Sequence, residues 1–271
     1  MTRRASLLLA ILVIVTLGFG AWRIYEHGTQ LLKPAVVTPK MNAGPMLHPT
    51  VRARISRALS PSDDRSKRPK LIALTFDDGP YPISTPLLLD ELRALRVPAT
   101  FFLIGRDAQQ WPELARRIEA DGHEIADHTL THPNLDEETP GQVRHEILGG
   151  RDALFALAPD PAIRKYFRPP HGRYTLQTIE VAQTLGYSVV LWTDDAGDWR
   201  TVTPSALAKH LEEHATAPEI VLLHSGKFAT IAMLPEVVAR FRSAGYTFVT
   251  VGRLLAHISP EWLNHPAKRG V

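Results

Sequence analysis

Beyond Lys70 short apolar runs alternate with longer helical stretches. Residues 71–76 (LIALTF) have the uninterrupted apolar character of a buried strand, and residues 99–103, 123–127, 166–168, 187–193, 219–224 and 247–250 read as further strands, seven in all. Helix starts between them are marked by Thr-Pro pairs. Thr85-Pro86 places an N-cap before a first-turn proline and opens a helix ending near Arg96. Thr139-Pro140 does the same with Gln142 in the capping-box position, and Thr203-Pro204 opens another. Gly186 and Gly245 sit where C-terminal caps belong. This alternation predicts an α/β fold built on a parallel sheet, open or closed into a barrel. No internal repeat suggests a solenoid.

Upstream the texture is different. Arg3 and Arg4 precede an uncharged apolar run over residues 5–22, about long enough to cross a bilayer, and the positive-inside rule puts everything after Arg23 outside the cytoplasm. A cleaved signal peptide is the competing reading, with Gly18 and Gly20 small enough to precede a cleavage site. Residues 27–70 are rich in Pro, Ser and basic side chains without sustained periodicity, as a linker is. The expected organisation is an anchor or signal peptide at 1–26, a linker at 27–70, a catalytic domain at 71–256 and a tail at 257–271.

Composition narrows the chemistry mainly by exclusion. The 271 residues leave room for one full-sized α/β domain plus an appendage, and a net charge of +3, with much of the Lys and Arg before residue 71, argues against a nucleic-acid surface. With no cysteine, disulfides, thiolate metal sites and a Cys nucleophile are excluded, so any metal must be held by His, Asp or Glu. The absence of G-x-S-x-G, a P-loop and a dinucleotide glycine pattern argues against serine hydrolases and against nucleotide cofactors.

The unusual polar residues fall just after the C-terminal ends of predicted strands: Asp77 and Asp78, His128 and His132, Arg168, Asp195 and Asp198, and His224. Parallel α/β folds build active sites on that face. The spacing of H-T-L-T-H would set both imidazoles on one side of a helical turn; with a carboxylate from another strand end they would make a two-His, one-carboxylate metal site, and without one they are two ordinary histidines. The acids of T-F-D-D-G-P fit a turn, or separate roles in which one ligates a metal and the other takes a proton from water. Arg168 is a candidate for a neighbouring cation and equally fits an ordinary surface residue. D-A-G-D-W offers a sugar-facing wall or a His-orienting carboxylate, or else a turn with a packed Trp. His224 ends an interior strand, where a general acid or a structural His would both sit. His145, His210 and His214 lie in predicted helices without acidic or His partners at suitable spacing and read as surface or packing residues.

Taken in order, these segments resemble the polysaccharide deacetylase family, carbohydrate esterases related to the nodulation-factor chitooligosaccharide deacetylase. The matching motifs are T-F-D-D-G-P at 75–80, H-T-L-T-H at 128–132, R-P-P-H-G at 168–172, D-A-G-D-W at 195–199 and L-L-H at 222–224, within a resemblance covering about residues 71–255. It implies a distorted (β/α)7 barrel and a divalent metal, usually Zn2+ with Co2+, Ni2+ or Mn2+ as alternatives, bound by Asp78, His128 and His132. It also implies Asp77 as general base and His224 as general acid, Arg168 orienting Asp77, Asp198 supporting His224, Trp199 and Leu222 shaping the acetyl pocket, and the backbone N–H of His171 joining the metal at the oxyanion. The chain has His171 where Tyr or Phe is common and Ser225 where Asp is common, and both positions point to altered specificity. The implied activity is removal of N-acetyl groups from an N-acetylglucosamine-containing polysaccharide, peptidoglycan or exopolysaccharide, by metal-activated water. An O-acetyl esterase and a non-catalytic carbohydrate-binding protein are the alternatives. The expected partners are the polysaccharide and, through the N-terminal run, the membrane: a single-pass protein of a bacterial inner membrane with its domain on the periplasmic or extracytoplasmic side.

Overall fold

The computed structural model describes residues 69–258; the predicted anchor, all but the last two residues of the predicted linker, and the tail beyond 258 lie outside them. Among the described residues no helix is long and apolar enough to cross a membrane. The strands are β1 (Leu71–Asp77), β2 (Thr100–Leu103), β3 (Glu124–Asp127), β4 (Tyr166–Phe167), β5 (Ser188–Val189), β6 (Asp194–Asp195), β7 (Glu219–His224) and β8 (Thr247–Phe248). The helices between and after them are α1 (Ser84–Leu95), α2 (Gly105–Gln110), α3 (Pro112–Ala120), α4 (Pro140–Phe155), α5 (Leu176–Thr184), α6 (Pro204–His214), α7 (Phe228–Ser243) and α8 (Val251–Ile258).

Every pairing is parallel, in the order β5-β4-β3-β2-β1-β7-β6, with β8 on the first residues of β1, so the sheet is a parallel-strand half-barrel. The strand predicted at 187–193 is the main departure. It splits into β5, paired with β4, and β6, paired with β7, and the intervening residues change partner: Val190 N donates to Phe167 O and Thr193 N to Ile220 O. No ladder among the described residues joins β5 to β6, so the expected ring is not completed by hydrogen bonds. The reason lies inside it. The Arg168 guanidinium takes the carbonyls of Val190 and Leu191, at 3.1 and 3.0 Å, which a continuing strand would have turned to a neighbour.

The strand period of two sorts the core. Ile72, Leu74 and Phe76 of β1, with Val221 and Leu223 of β7, pack outward against Leu88, Leu92, Leu207, Leu234 and Val237 of the helices. Ala73, Phe102, Ala126, Val190, Leu191 and Ile220 fill the inside. By the same alternation Thr75 and Asp77, and Leu222 and His224, face inward. The β1–β7 register sets Thr75 beside Leu222 and Asp77 beside His224. The inward row therefore passes from apolar to ionisable as it reaches the mouth of the half-barrel.

The capping box at Thr139 and Gln142 forms, and Thr203 Oγ1 accepts from Ala206 N. Thr85 does not cap: α1 starts at Ser84, and the Thr85 hydroxyl instead accepts from Tyr81 N at 2.8 Å, pinning the loop after β1. The histidines of H-T-L-T-H do not share a helical turn. That segment is irregular, with φ +72° at Thr129 and +65° at His132. Side-chain acceptors hold it there, since Asp127 Oδ1 takes Thr129 N, Thr129 Oγ1 takes His132 N, and Glu146 takes the Thr131 amide and hydroxyl.

Candidate active site

The predicted site residues converge at the C-terminal mouth. Asp78 follows β1 in the left-handed region (φ +68°), costly for a non-glycine residue, and His132 is held there too. Strain at both positions aims their side chains at one point: one ligand atom each from Asp78, His128 and His132 lies within 4.8 Å of the others. Asp78 Oδ1 is 3.2 Å from His132 Nε2 and 3.7 Å from His128 Nε2.

His128 shows best what the cluster fits. It is fully buried, its Nδ1 meets the Arg168 carbonyl at 2.7 Å, and its Nε2 has no hydrogen-bond partner. A carbonyl can only accept, so Nδ1 holds the proton and Nε2 presents its lone pair to the cluster. Burial pulls this imidazole down to about 4, against the pull of Asp77 and Asp78, so it is neutral at physiological pH. Burial pushes Asp78 up, but the His132 hydrogen bond and the charges of His128, His132 and His224 outweigh it and hold the carboxyl at about 2. A neutral imidazole with an orphaned, buried lone pair beside a carboxylate and a second imidazole is the donor set a divalent cation takes.

Arg168 is the largest fully buried side chain and fills the inside of the half-barrel beneath Asp77. Its guanidinium stacks 3.9 Å from the Phe102 ring, donates to Thr75 Oγ1 at 2.8 Å and to Asp77 Oδ1 at 2.6 Å, and spends its other bonds on the two carbonyls already described. Burial draws it below its usual value, while Asp77 opposes that. Asp77 Oδ1 is thereby committed, leaving Oδ2 facing the cluster, 3.8 Å from His128 Nε2.

On the other side of the cluster His224 Nδ1 lies 2.7 Å from Asp198 Oδ1, so its Nε2 is turned away from that carboxylate. Asp198 is fully buried and also accepts from His224 N at 2.8 Å and Thr230 Oγ1 at 2.6 Å. Burial pushes His224 down, but the Asp198 hydrogen bond and the charges of Asp77, Asp198 and Asp78 outweigh it and raise the imidazole above its ordinary value.

Asp77, Asp78, His128, His132 and His224 line a cleft of about 410 Å³ whose walls include His171, Trp192, Trp199, Leu222 and Lys227. His171 has φ +56°, its ring packs edge-on 4.5 Å from that of His132, and its N–H has no partner among the described residues. Trp199 is half exposed, with Nε1 directed to Asp195, so Asp195 orients the wall and Asp198 the imidazole. Trp192 escaped the sequence reading, hidden in a strand-like run. The adjacent glycine of R-P-P-H-G was the available sign, because a Cβ on Gly172 would come 2.6 Å from the Trp192 ring. His210 does have partners: its Nε2 meets Asp194 Oδ1 at 2.9 Å, an acid supplied by another element, and its ring stacks 4.4 Å from that of His214, one helical turn on.

The polysaccharide deacetylase family profile matches residues 64–190. A peptidoglycan-N-acetylglucosamine deacetylase of Bacillus cereus is 36% identical over 193 residues, covering 69% of this chain and 89% of the relative. A chitooligosaccharide deacetylase of a Bradyrhizobium species is 39% identical over 155 residues, 57% of this chain and 70% of that one. A solved peptidoglycan N-acetylglucosamine deacetylase, in complex with a naphthalenyl N-oxidanyl-benzamide, superposes with a TM-score of 0.66 at 30% identity, covering 69% of this chain and 88% of its own. The chain belongs to the polysaccharide deacetylase family and is a deacetylase enzyme.

Proposed function

We propose that the enzyme removes N-acetyl groups from an N-acetylglucosamine-containing polysaccharide, with peptidoglycan the leading substrate, using a divalent cation held by Asp78, His128 and His132. The observation that carries this reading is the orphaned Nε2 of His128, aimed at Asp78 and His132 between Asp77 and His224. Zinc suits the His2Asp donor set best, and such an ion would polarise the acetyl carbonyl and acidify a water. Asp77 Oδ2, free while Arg168 fixes Oδ1, takes the proton of the attacking water. His224, protonated and oriented through Nδ1 by Asp198, gives a proton from Nε2 to the departing amine. The unpartnered N–H of His171 supplies a donor for the oxyanion. Trp199 and Leu222 wall the acetyl methyl, and Trp192 extends that wall.

The names of the relatives support peptidoglycan or chitooligosaccharide as the substrate class. The apolar run at 5–22 behind Arg3 and Arg4 supports a bacterial enzyme anchored in the inner membrane with its domain on the outer side, where such glycans are met. Acetate release from peptidoglycan and from N-acetylglucosamine oligomers by the full chain tests the reading. Release that His224→Ala and Asp77→Asn each strongly reduce supports it. Release undiminished by both would overturn it.

A further inference from the structure

The cleft does not end at the reacting groups. Asp78, His224 and Lys227 also line a second groove, about 350 Å³, walled by Tyr81, Ile83 and Phe228. Because the two spaces share those three residues, the reaction centre stands partway along a trough. Gly226 lets the trough floor form, since a Cβ there would lie 2.9 Å from the Tyr81 ring. Phe228 and Ile83 are 59% and 69% exposed at the rim. Apolar faces beside a polar channel suit the stacked faces of successive sugar rings.

Lys227 gives this groove a charge preference. The carboxylates nearby are already engaged: Asp77 with Arg168, Asp78 with His132, and Asp195 with Gly197 N and Trp199 Nε1. Lys227 is half-buried and makes no ion pair with any described residue. Partial burial of an ammonium is unfavourable without a counter-charge, and here a ligand can bring one. We propose that Lys227 and the Tyr81–Phe228 groove form a subsite for a carboxylate-bearing sugar next to the N-acetylated one, so that the enzyme selects an acidic glycan. The proposal rests on the deacetylase reading above and names its substrate class further. Two sugars carry the required group: one with a lactyl ether carboxylate and one with a ring uronate.

The test compares kcat/KM on neutral N-acetylglucosamine oligomers, peptidoglycan strands stripped of peptide to free their lactyl carboxylates, and N-acetylglucosamine–glucuronate oligomers. One acidic glycan should be preferred over the neutral oligomer by about tenfold, and which one identifies the source of the carboxylate. Lys227→Met should erase that preference mainly through KM, Lys227→Arg should keep it, and Lys227→Glu should invert it. Calorimetric binding of the same glycans to the Asp77→Asn enzyme reads the selectivity without turnover. Wild-type acetate release failing while this binding preference holds would therefore count against the deacetylase reading alone. No preference for either acidic glycan, or a preference that survives Lys227→Met, would overturn the proposal.

Discussion

β7 has an ionisable residue at each end, and the two ends treat charge in opposite ways. At the mouth, His224 is paired with a buried carboxylate that itself accepts two further hydrogen bonds, and the imidazole is raised toward its charged form. At the base, Glu219 is fully buried and no side-chain donor reaches its oxygens; burial, then the charge of Asp194, pushes it up to about 8, with a Thr216 backbone contact opposing. Both partners and depth separate the two ends. At the mouth a complete set of donors and acceptors favours the charged imidazole, and at the base, without such a set, burial favours the neutral acid.

The sharpest way to break this comparison is at the mouth. Asp77→Asn keeps an acceptor for Arg168 but cannot take a proton, so kcat for acetate release should fall about 10²–10⁴-fold while bound zinc, measured by metal analysis, stays. Arg168→Met leaves Asp77 buried without its cation and frees the Val190 and Leu191 carbonyls; urea unfolding should show a loss of about 3–5 kcal/mol.

The base makes the opposite prediction. Below the ordinary value of 4.5, Glu219 holds its proton both folded and unfolded. Between 4.5 and about 8 only the folded state keeps it, so the native form should lose about 1.4 kcal/mol per pH unit relative to a non-titrating residue. Glu219→Gln should therefore gain on the wild type as pH rises from 5 to 8. A pH-independent difference between their unfolding free energies would rule this out. The smallest effect is expected at Asp198. Asp198→Asn weakens the hydrogen bond and removes one of the charges that raise His224, so the alkaline limb of kcat/KM, where the acid loses its proton, should move to lower pH with kcat about tenfold lower.

The contrast also marks what the sequence could reveal. Strand ends and motif residues were legible because the predicted strands run into Asp77, His128 and His224, and a period of two sends all three side chains to one face. The irregular path of H-T-L-T-H was not legible. A four-residue spacing fits a helix equally well, and the positive φ at Thr129 and His132 goes with side-chain acceptors, Asp127 and Thr129 nearby and Glu146 fifteen residues on from Thr131, that the spacing does not reveal. The split at 190–193 was hidden for a similar reason: an apolar run does not show that its carbonyls belong to an arginine from another strand. Partners distant in sequence also account for the missed His210–Asp194 pair and for Trp192.

The central claim is that Asp78, His128 and His132 hold the catalytic cation, and zinc titration by calorimetry alongside acetate release tests it most directly. The account predicts one zinc per chain, with binding and release lost together in Asp78→Ala and release by the wild type abolished by chelator and restored by zinc. Acetate release undiminished by either the chelator or Asp78→Ala would contradict it.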